Sequence, residues 1–155
     1  MSAFRPAIRE ATTADIPAIV ALFVADALGG HGDTTDPHAF GDYETAFRRI
    51  AASQNDTLYV AVADGEVVGT FQTTLIVSMS GRGSAALNVE GVQTRADMRG
   101  RGIGEAMMRF AIERARDVGA RRVQLTSNAA RTDAHRFYER LGFAKSHMGF
   151  KLRLE

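Results

Sequence analysis

Residues Val92-Gln93-Thr94-Arg95-Ala96-Asp97-Met98-Arg99-Gly100-Arg101-Gly102-Ile103-Gly104-Glu105 constrain this chain more than any other stretch. They read as a strand, a glycine-rich turn and the start of an amphipathic helix. Glycines at 100, 102 and 104 let the backbone approach an oxyanion without a Cβ in the way, and the unpaired amides of the first helical turn, Gly102 to Glu105, then point at it. The helix dipole adds partial positive charge, and Arg99 and Arg101 add full charges. After the turn, Ile103, Ala106, Met107, Phe110, Ala111, Ala115 and Val118 recur at helical spacing, with Arg109, Glu113, Arg114, Arg116 and Asp117 on the other face. Met107 is expected in the core and Met108 at its edge. Gly119 predicts a left-handed C-terminal cap, and Arg121 to Ser127 a returning strand.

Three anion-binding loops compete for this strand, turn and helix. A Walker A loop needs Gly-Lys-Ser/Thr, and there is no lysine nearby. A dinucleotide fingerprint needs G-x-G-x-x-G and an acid at the end of the next strand, where this chain has Thr126-Ser127-Asn128. The pattern R-x-x-G-x-G, from Arg99, Gly102 and Gly104, fits without adjustment.

Here the chain resembles the GNAT superfamily of acetyl-CoA-dependent N-acetyltransferases, whose pyrophosphate loop is R/Q-x-x-G-x-G/A between a strand and a long helix. The resemblance continues through Asn128, Ala134, Tyr138 and Leu141-Gly142-Phe143, which looks like the family's second motif, and more loosely through Ile8 to Thr12 and Asp15-Ile16. The loop Ala129 to Asp133 is longer than is common in the family, and Asp133 reads as the N-cap of the following helix. The segment Ser146 to Lys151, with Arg131 to Tyr138, is similar to the C-terminal part of aminoalkylphosphonate acetyltransferases. That likeness implies His147 and Phe150 on strands beside the acceptor pocket.

A length of 155 residues with 45% hydrophobic content predicts one domain, 1–155, with a real core. No apolar run is long enough to cross a bilayer and none resembles a leader, so neither membrane association nor secretion is expected. Zero cysteines exclude a cysteine acyl-enzyme and fit a cytoplasmic protein. The net charge of +1, from 19 basic and 18 acidic residues, argues against a nucleic-acid partner. His31, His38, His135 and His147 show no metal-ligand spacing, so no metal is expected.

The remaining pattern predicts a strand at Ala7–Ala11, an N-cap at Thr13, and a helix over Asp15–Leu28 with Ile16, Ile19, Val20, Phe23 and Leu28 inward. The loop Gly29 to Pro37 suits either a flap or a plain surface connection. A helix over His38–Ser53, carrying Phe40, Tyr43 and Phe47, precedes a hairpin of Thr57–Ala63 and Val67–Met79 about Asp64-Gly65-Glu66. A strand Ala85–Thr94 follows. The order β-α-α-β-β-β-α-β-α-β-β is that of the GNAT fold. It is an α/β (α+β) arrangement: a mixed, mostly antiparallel sheet of six to seven strands, splayed between strands 4 and 5 and flanked by about four helices.

The resemblance implies acetyl-CoA lying in that splay. Val92 and Thr94 would hold its pantetheine arm through their backbone, with Gln93 between them pointing away. Arg99, Gly100, Arg101, Gly102, Ile103, Gly104 and Glu105 would hold its pyrophosphate, and Asn128 and Tyr138 would complete the site. The Val92 amide is the expected oxyanion donor. Tyr138 is the expected general acid for the departing thiolate, and a half-buried core tyrosine is its plain alternative. Glu90 is the expected base for the incoming ammonium, with Gly91 beside it suggesting a bulge; a solvated strand residue is the plain alternative. The expected activity is direct acetyl transfer to the primary amine of a small molecule in a ternary complex, by a homodimer as is the family's habit. Acetylation of a protein or peptide, and a non-catalytic acyl-CoA sensor, are the alternatives.

Overall fold

Apolar and β-branched runs between Asp56 and Thr94 form strands covered on both faces, with Tyr59 to Ala61 and Val68 to Phe71 buried in succession, while each strand pairs its backbone with neighbours. A computed structural model describes residues 5–26, 28 and 31–154. Its strands are β1 (Ala7–Glu10), β2 (Asp56–Ala63), β3 (Glu66–Val77), β4 (Ala85–Thr94) and β5 (Arg122–Leu125), in the sheet order β1-β2-β3-β4-β5. All neighbours are antiparallel except β4 and β5. Asp64 and Gly65, with φ of 50° and 75°, make the tight turn between β2 and β3, because positive φ at both positions matches the twist of the paired strands.

Four helices flank this sheet: α1 (Ile16–Val24), α2 (Phe40–Ala52), α3 (Ile103–Asp117) and α4 (Thr132–Arg140). On one face α3 buries Ile103, Met107, Met108, Ala111 and Ala115, and α4 packs Phe137 and Tyr138 against the same cluster as Tyr59, Phe71 and Val89. Met108 is fully buried rather than at the edge of the core. The close fit between α3 and β3 depends on Gly69, where a Cβ would lie 2.9 Å from the Met107 sulfur. The other face takes α1 through Ile16, Ile19, Val20 and Leu22. Burying each such side chain contributes roughly 1.5–3 kcal/mol. Among the described residues, no helix is long and apolar enough to cross a membrane.

Several boundaries differ from the sequence expectation. The helix expected over Asp15–Leu28 opens with a 3₁₀ turn, Thr13–Asp15, and ends at Val24; Leu28 is 63% exposed, and Ala27 lies outside the described residues. The residue before the first turn is Thr12 rather than Thr13. Asp15 reaches back to it, accepting from the Thr12 amide at 2.7 Å, and takes a fork from Arg9 at 2.6 and 3.0 Å. Pro37–Ala39 is a 3₁₀ turn, so α2 begins at Phe40. Of the expected 29–37 loop, Gly29 and Gly30 lie outside the described residues, while Asp33 and Thr34 are tied to the Tyr43 hydroxyl at 2.7 and 3.1 Å. The hairpin's second strand ends at Val77, before a turn with positive φ at Gly81 and Arg82.

The largest correction is the strand count. The sheet has five strands among the described residues, not six or seven, and residues 144–154 pair with none of them. A strand persists where a neighbouring edge takes up its amides and carbonyls, and among the described residues this segment forms no such ladder.

Candidate active site

β4 and β5 pair only from Ala86 to Val89 against Arg122 to Leu125. Beyond that, Glu90 to Thr94 have β3 on one side and no strand on the other. The divergence starts at a bulge, where Gly91 and Val92 together oppose Phe71, and Gly91 takes φ +62°. An extra residue on one strand bends it and increases its twist, and at this φ glycine is the residue without steric cost. The expected splay is therefore present, with a local cause.

The glycine turn sits at one end of this gap. Gly100 and Gly102 have φ of +77° and +81°, and a Cβ at either would meet nothing within 4 Å. Conformation rather than crowding therefore calls for glycine at both. Gly104 differs: its φ is helical, but a Cβ there would sit 3.3 Å from Cζ of Phe137. Its small size lets α4 approach the start of α3, a packing role the phosphate pattern did not suggest. Ile103 is buried, while Arg99 and Arg101 are exposed. Glu105 pairs with Arg109 one turn on, at 2.8 Å, leaving its amide in the first turn.

Tyr138 is half-buried on α4, its ring meeting Phe137 edge-on at 5.1 Å and Phe143 at 5.9 Å between centroids. Among the described residues its hydroxyl has no hydrogen-bond partner. Burial pushes the phenol above its ordinary value, and the nearby Arg131 charge partly opposes that rise. Glu90 is exposed. Strand alternation puts it on the face opposite Val89, the α1 side, where it makes no side-chain hydrogen bond among the described residues.

Asn128 is spent on its own loop. Its side-chain oxygen accepts from the Ala130 amide at 2.9 Å, and its carbonyl accepts from the Arg131 amide and from His135 Nε2, each at 2.9 Å. The expected cap at Asp133 is not formed: the N-cap is Arg131, and Asp133 instead pairs with Arg136 at 3.1 Å. His31, His38 and His147 are exposed. Phe40, Tyr43 and Phe47 form a half-buried stripe on α2.

One feature of the gap escaped the sequence reading. Asp26, just after α1, accepts from Gln93 Nε2 at 2.8 Å, from the Leu28 amide at 3.3 Å, and from Arg131 with both carboxylate oxygens. Burial would raise the Asp26 carboxyl, but these donors and the Arg131 charge together hold it below the usual carboxylate range. Gln93 is thus turned away from the gap, and a polar link joins α1, β4 and the loop before α4. Nothing in the local pattern of Asp26 signals a partner 105 positions along the chain.

Residues 17–143 match the model of the acetyltransferase (GNAT) family. The chain belongs to that family. An aminoalkylphosphonate N-acetyltransferase from Salmonella typhimurium is 32% identical to this GNAT chain over 143 residues, 92% of this chain and 88% of the relative. A crystal structure of a transcriptional regulator from Bacillus halodurans C-125 is 38% identical, with a TM-score of 0.92 over 96% of this chain and 99% of that one. The structure of AAC(6')-Iy with the bisubstrate analogue CoA-S-monomethyl-acetylneamine shares the fold at a TM-score of 0.78 and 16% identity, covering 98% of this chain and 99% of that one. With this membership and these relatives, the chain is an N-acetyltransferase.

Proposed function

We propose that this GNAT enzyme transfers the acetyl group of acetyl-CoA directly to the primary amine of a small molecule, both being bound at once. The observation that carries the reading is the unpaired edge of β4 from Glu90 to Thr94, followed directly by the glycine turn. Acetyl-CoA would take the place of the missing strand, its pantetheine on the Val92 and Thr94 backbone. Its pyrophosphate would take the amides of Gly102 to Glu105 with the Arg99 and Arg101 charges.

In this reading Glu90 removes a proton from the incoming ammonium through water, and the freed nitrogen attacks the thioester carbonyl. The Val92 amide donates to the oxyanion. As the C–S bond breaks, the thiolate takes the Tyr138 proton, and the proton that the acetylated nitrogen sheds restores the phenol. A phenol kept neutral by burial suits that role. A small acceptor is supported by the aminoalkylphosphonate relative and by the aminoglycoside analogue bound to AAC(6')-Iy. The aminoalkylphosphonate relative favours an acceptor that carries an anionic group. The reading treats residues 1–155 as one domain working in the cytoplasm.

The relative named a transcriptional regulator favours one second reading, an acyl-CoA-binding module without turnover. A thiol-release assay with acetyl-CoA and a panel of aminoalkylphosphonates, amino acids, polyamines, aminoglycosides and short peptides, run beside calorimetry, separates the two. Release that depends on one class of small amine is the expected result. Release with peptides alone overturns the small-molecule acceptor. Binding of acetyl-CoA without turnover of any amine supports the sensor, and no binding overturns both.

A further inference from the structure

The β4–β5 ladder ends at Val89 and Leu125, and Gln93 and Arg131 lie beyond that point on the two separate branches. Both are bound by one carboxylate. Asp26 Oδ2 accepts from Gln93 Nε2 at 2.8 Å, and both Asp26 oxygens accept from Arg131 Nη2. A hydrogen bond weakens steeply outside a narrow range of length and angle, so a single side chain fixes the two branches relative to each other.

Each member of this set is itself anchored. Asp26 follows α1, its amide donating to the Phe23 carbonyl at 3.1 Å. Phe23 in turn lies over the bulge, with Cε1 3.8 Å from where a Cβ at Gly91 would stand. Gln93 sits between Val92 and Thr94 in the unpaired stretch of β4. Arg131 is the N-cap residue of α4, its amide donating to the Asn128 carbonyl at 2.9 Å, and Tyr138 follows two turns later in the same helix. We propose, on the placement of acetyl-CoA given above, that Asp26 is a positioning residue. Through Gln93 and Arg131 it sets the opening between the unpaired edge of β4 and the branch that carries Tyr138, at the width the pantetheine arm needs.

The chemistry of the side chain fits that task. A carboxylate has two acceptor oxygens, so it satisfies donors from both branches at once. Asparagine has one acceptor, and its NH2 would face the guanidinium. The Asp26 side chain is only 12% exposed, which keeps water from taking either donor's place. Its charge, by contrast, works against the ligand: acetyl-CoA is an anion, and a nearby negative group lowers its affinity by charge alone. Electrostatics and positioning therefore predict opposite signs when that charge is removed.

The full chain, labelled with 15N and titrated with acetyl-CoA, supplies the test. In the wild type the amides of Val92, Gln93 and Thr94 and those of Gly102 to Glu105 should both shift. In Asp26→Asn, calorimetry should show acetyl-CoA bound about tenfold more weakly, the scale of a lost hydrogen bond to a charged group, although a negative charge has gone. At saturation its Gly102 to Glu105 amides should still shift, while the shifts at Val92, Gln93 and Thr94 diminish. Gln93→Met, which keeps the length and loses the donor, should change both readouts in the same direction, and it decides the matter if Asp26→Asn fails to fold. Equal or tighter binding by either folded variant, or undiminished shifts at Val92, Gln93 and Thr94, would overturn the role of Asp26 and leave the acetyl-CoA placement standing. A wild type without shifts in either region would overturn the placement, and the role with it.

Discussion

Asp26 and Arg131 stand 105 positions apart in the chain and form an ion pair that joins the end of α1 to the loop before α4, with side chains only 12% and 25% exposed. Removing one partner leaves the other charge partly buried and unpaired, which costs more than the pair itself contributes. A double-mutant cycle with Asp26→Asn and Arg131→Gln should give a coupling energy of about 1–3 kcal/mol in thermal or denaturant unfolding. A value near zero would show that the link does not hold the loop to α1.

Arg131 also acts on Tyr138 through space. Its positive charge lowers the phenol's pKa against the rise caused by burial, so its removal raises that pKa further. In Arg131→Gln, the basic limb of the pH–rate profile should therefore move to higher pH, and an ultraviolet titration of the tyrosines should show the same displacement. A basic limb that stays in place would separate Arg131 from the acid.

For Tyr138→Phe, turnover should fall by about 10²–10³-fold, the range for losing a positioned general acid. Binding of acetyl-CoA, measured by calorimetry, should stay within about twofold of the wild type, because the ring and its contacts with Phe137 and Phe143 are kept. Unchanged turnover would remove the phenol from the mechanism.

Glu90→Gln should lose activity mainly at low and neutral pH, where the amine arrives protonated, and should approach the wild type as the buffer itself frees the amine. Initial rates across the pH range decide this. A uniform loss at every pH would assign Glu90 to binding or folding instead.

Acid should destabilise the fold through two carboxylates. Arg9 holds the Asp15 carboxyl below its usual value with help from the Thr12 amide, and the donors around Asp26 do the same there after outweighing its burial. Both pKa values are depressed on folding, so the stabilisation is present above the ordinary unfolded value of about 3.9 and is lost as pH falls through the lower folded values. Thermal unfolding between pH 6 and pH 2 should show a falling midpoint, with a shallower fall in Asp15→Asn and Asp26→Asn.

The strand–turn–helix unit was legible in the sequence because its determinants are local. Glycine is needed where φ is positive at Gly100, Gly102 and Gly119, and helical spacing names the residues that α3 buries. The bulge was legible for the same reason, since Gly91 is itself the residue that adopts the unusual φ. Helix ends were read less well. Thr12, Thr13 and Asp15 are all plausible caps, and the choice fell to Arg9, which turns the Asp15 carboxylate into an acceptor for both its fork and the Thr12 amide.

Local pattern, then, determined the order of elements from β1 to α4 and the glycine turn that follows β4. Tertiary structure alone decided three things. It set Gly104 against Phe137, joined Asp26 to Gln93 and Arg131, and left the alternating segment after Phe143 without a sheet. Periodicity and propensity describe what a segment can do within a few residues. Which distant side chain completes a buried charge, and whether a strand finds an edge, depends on groups that only the folded chain brings together.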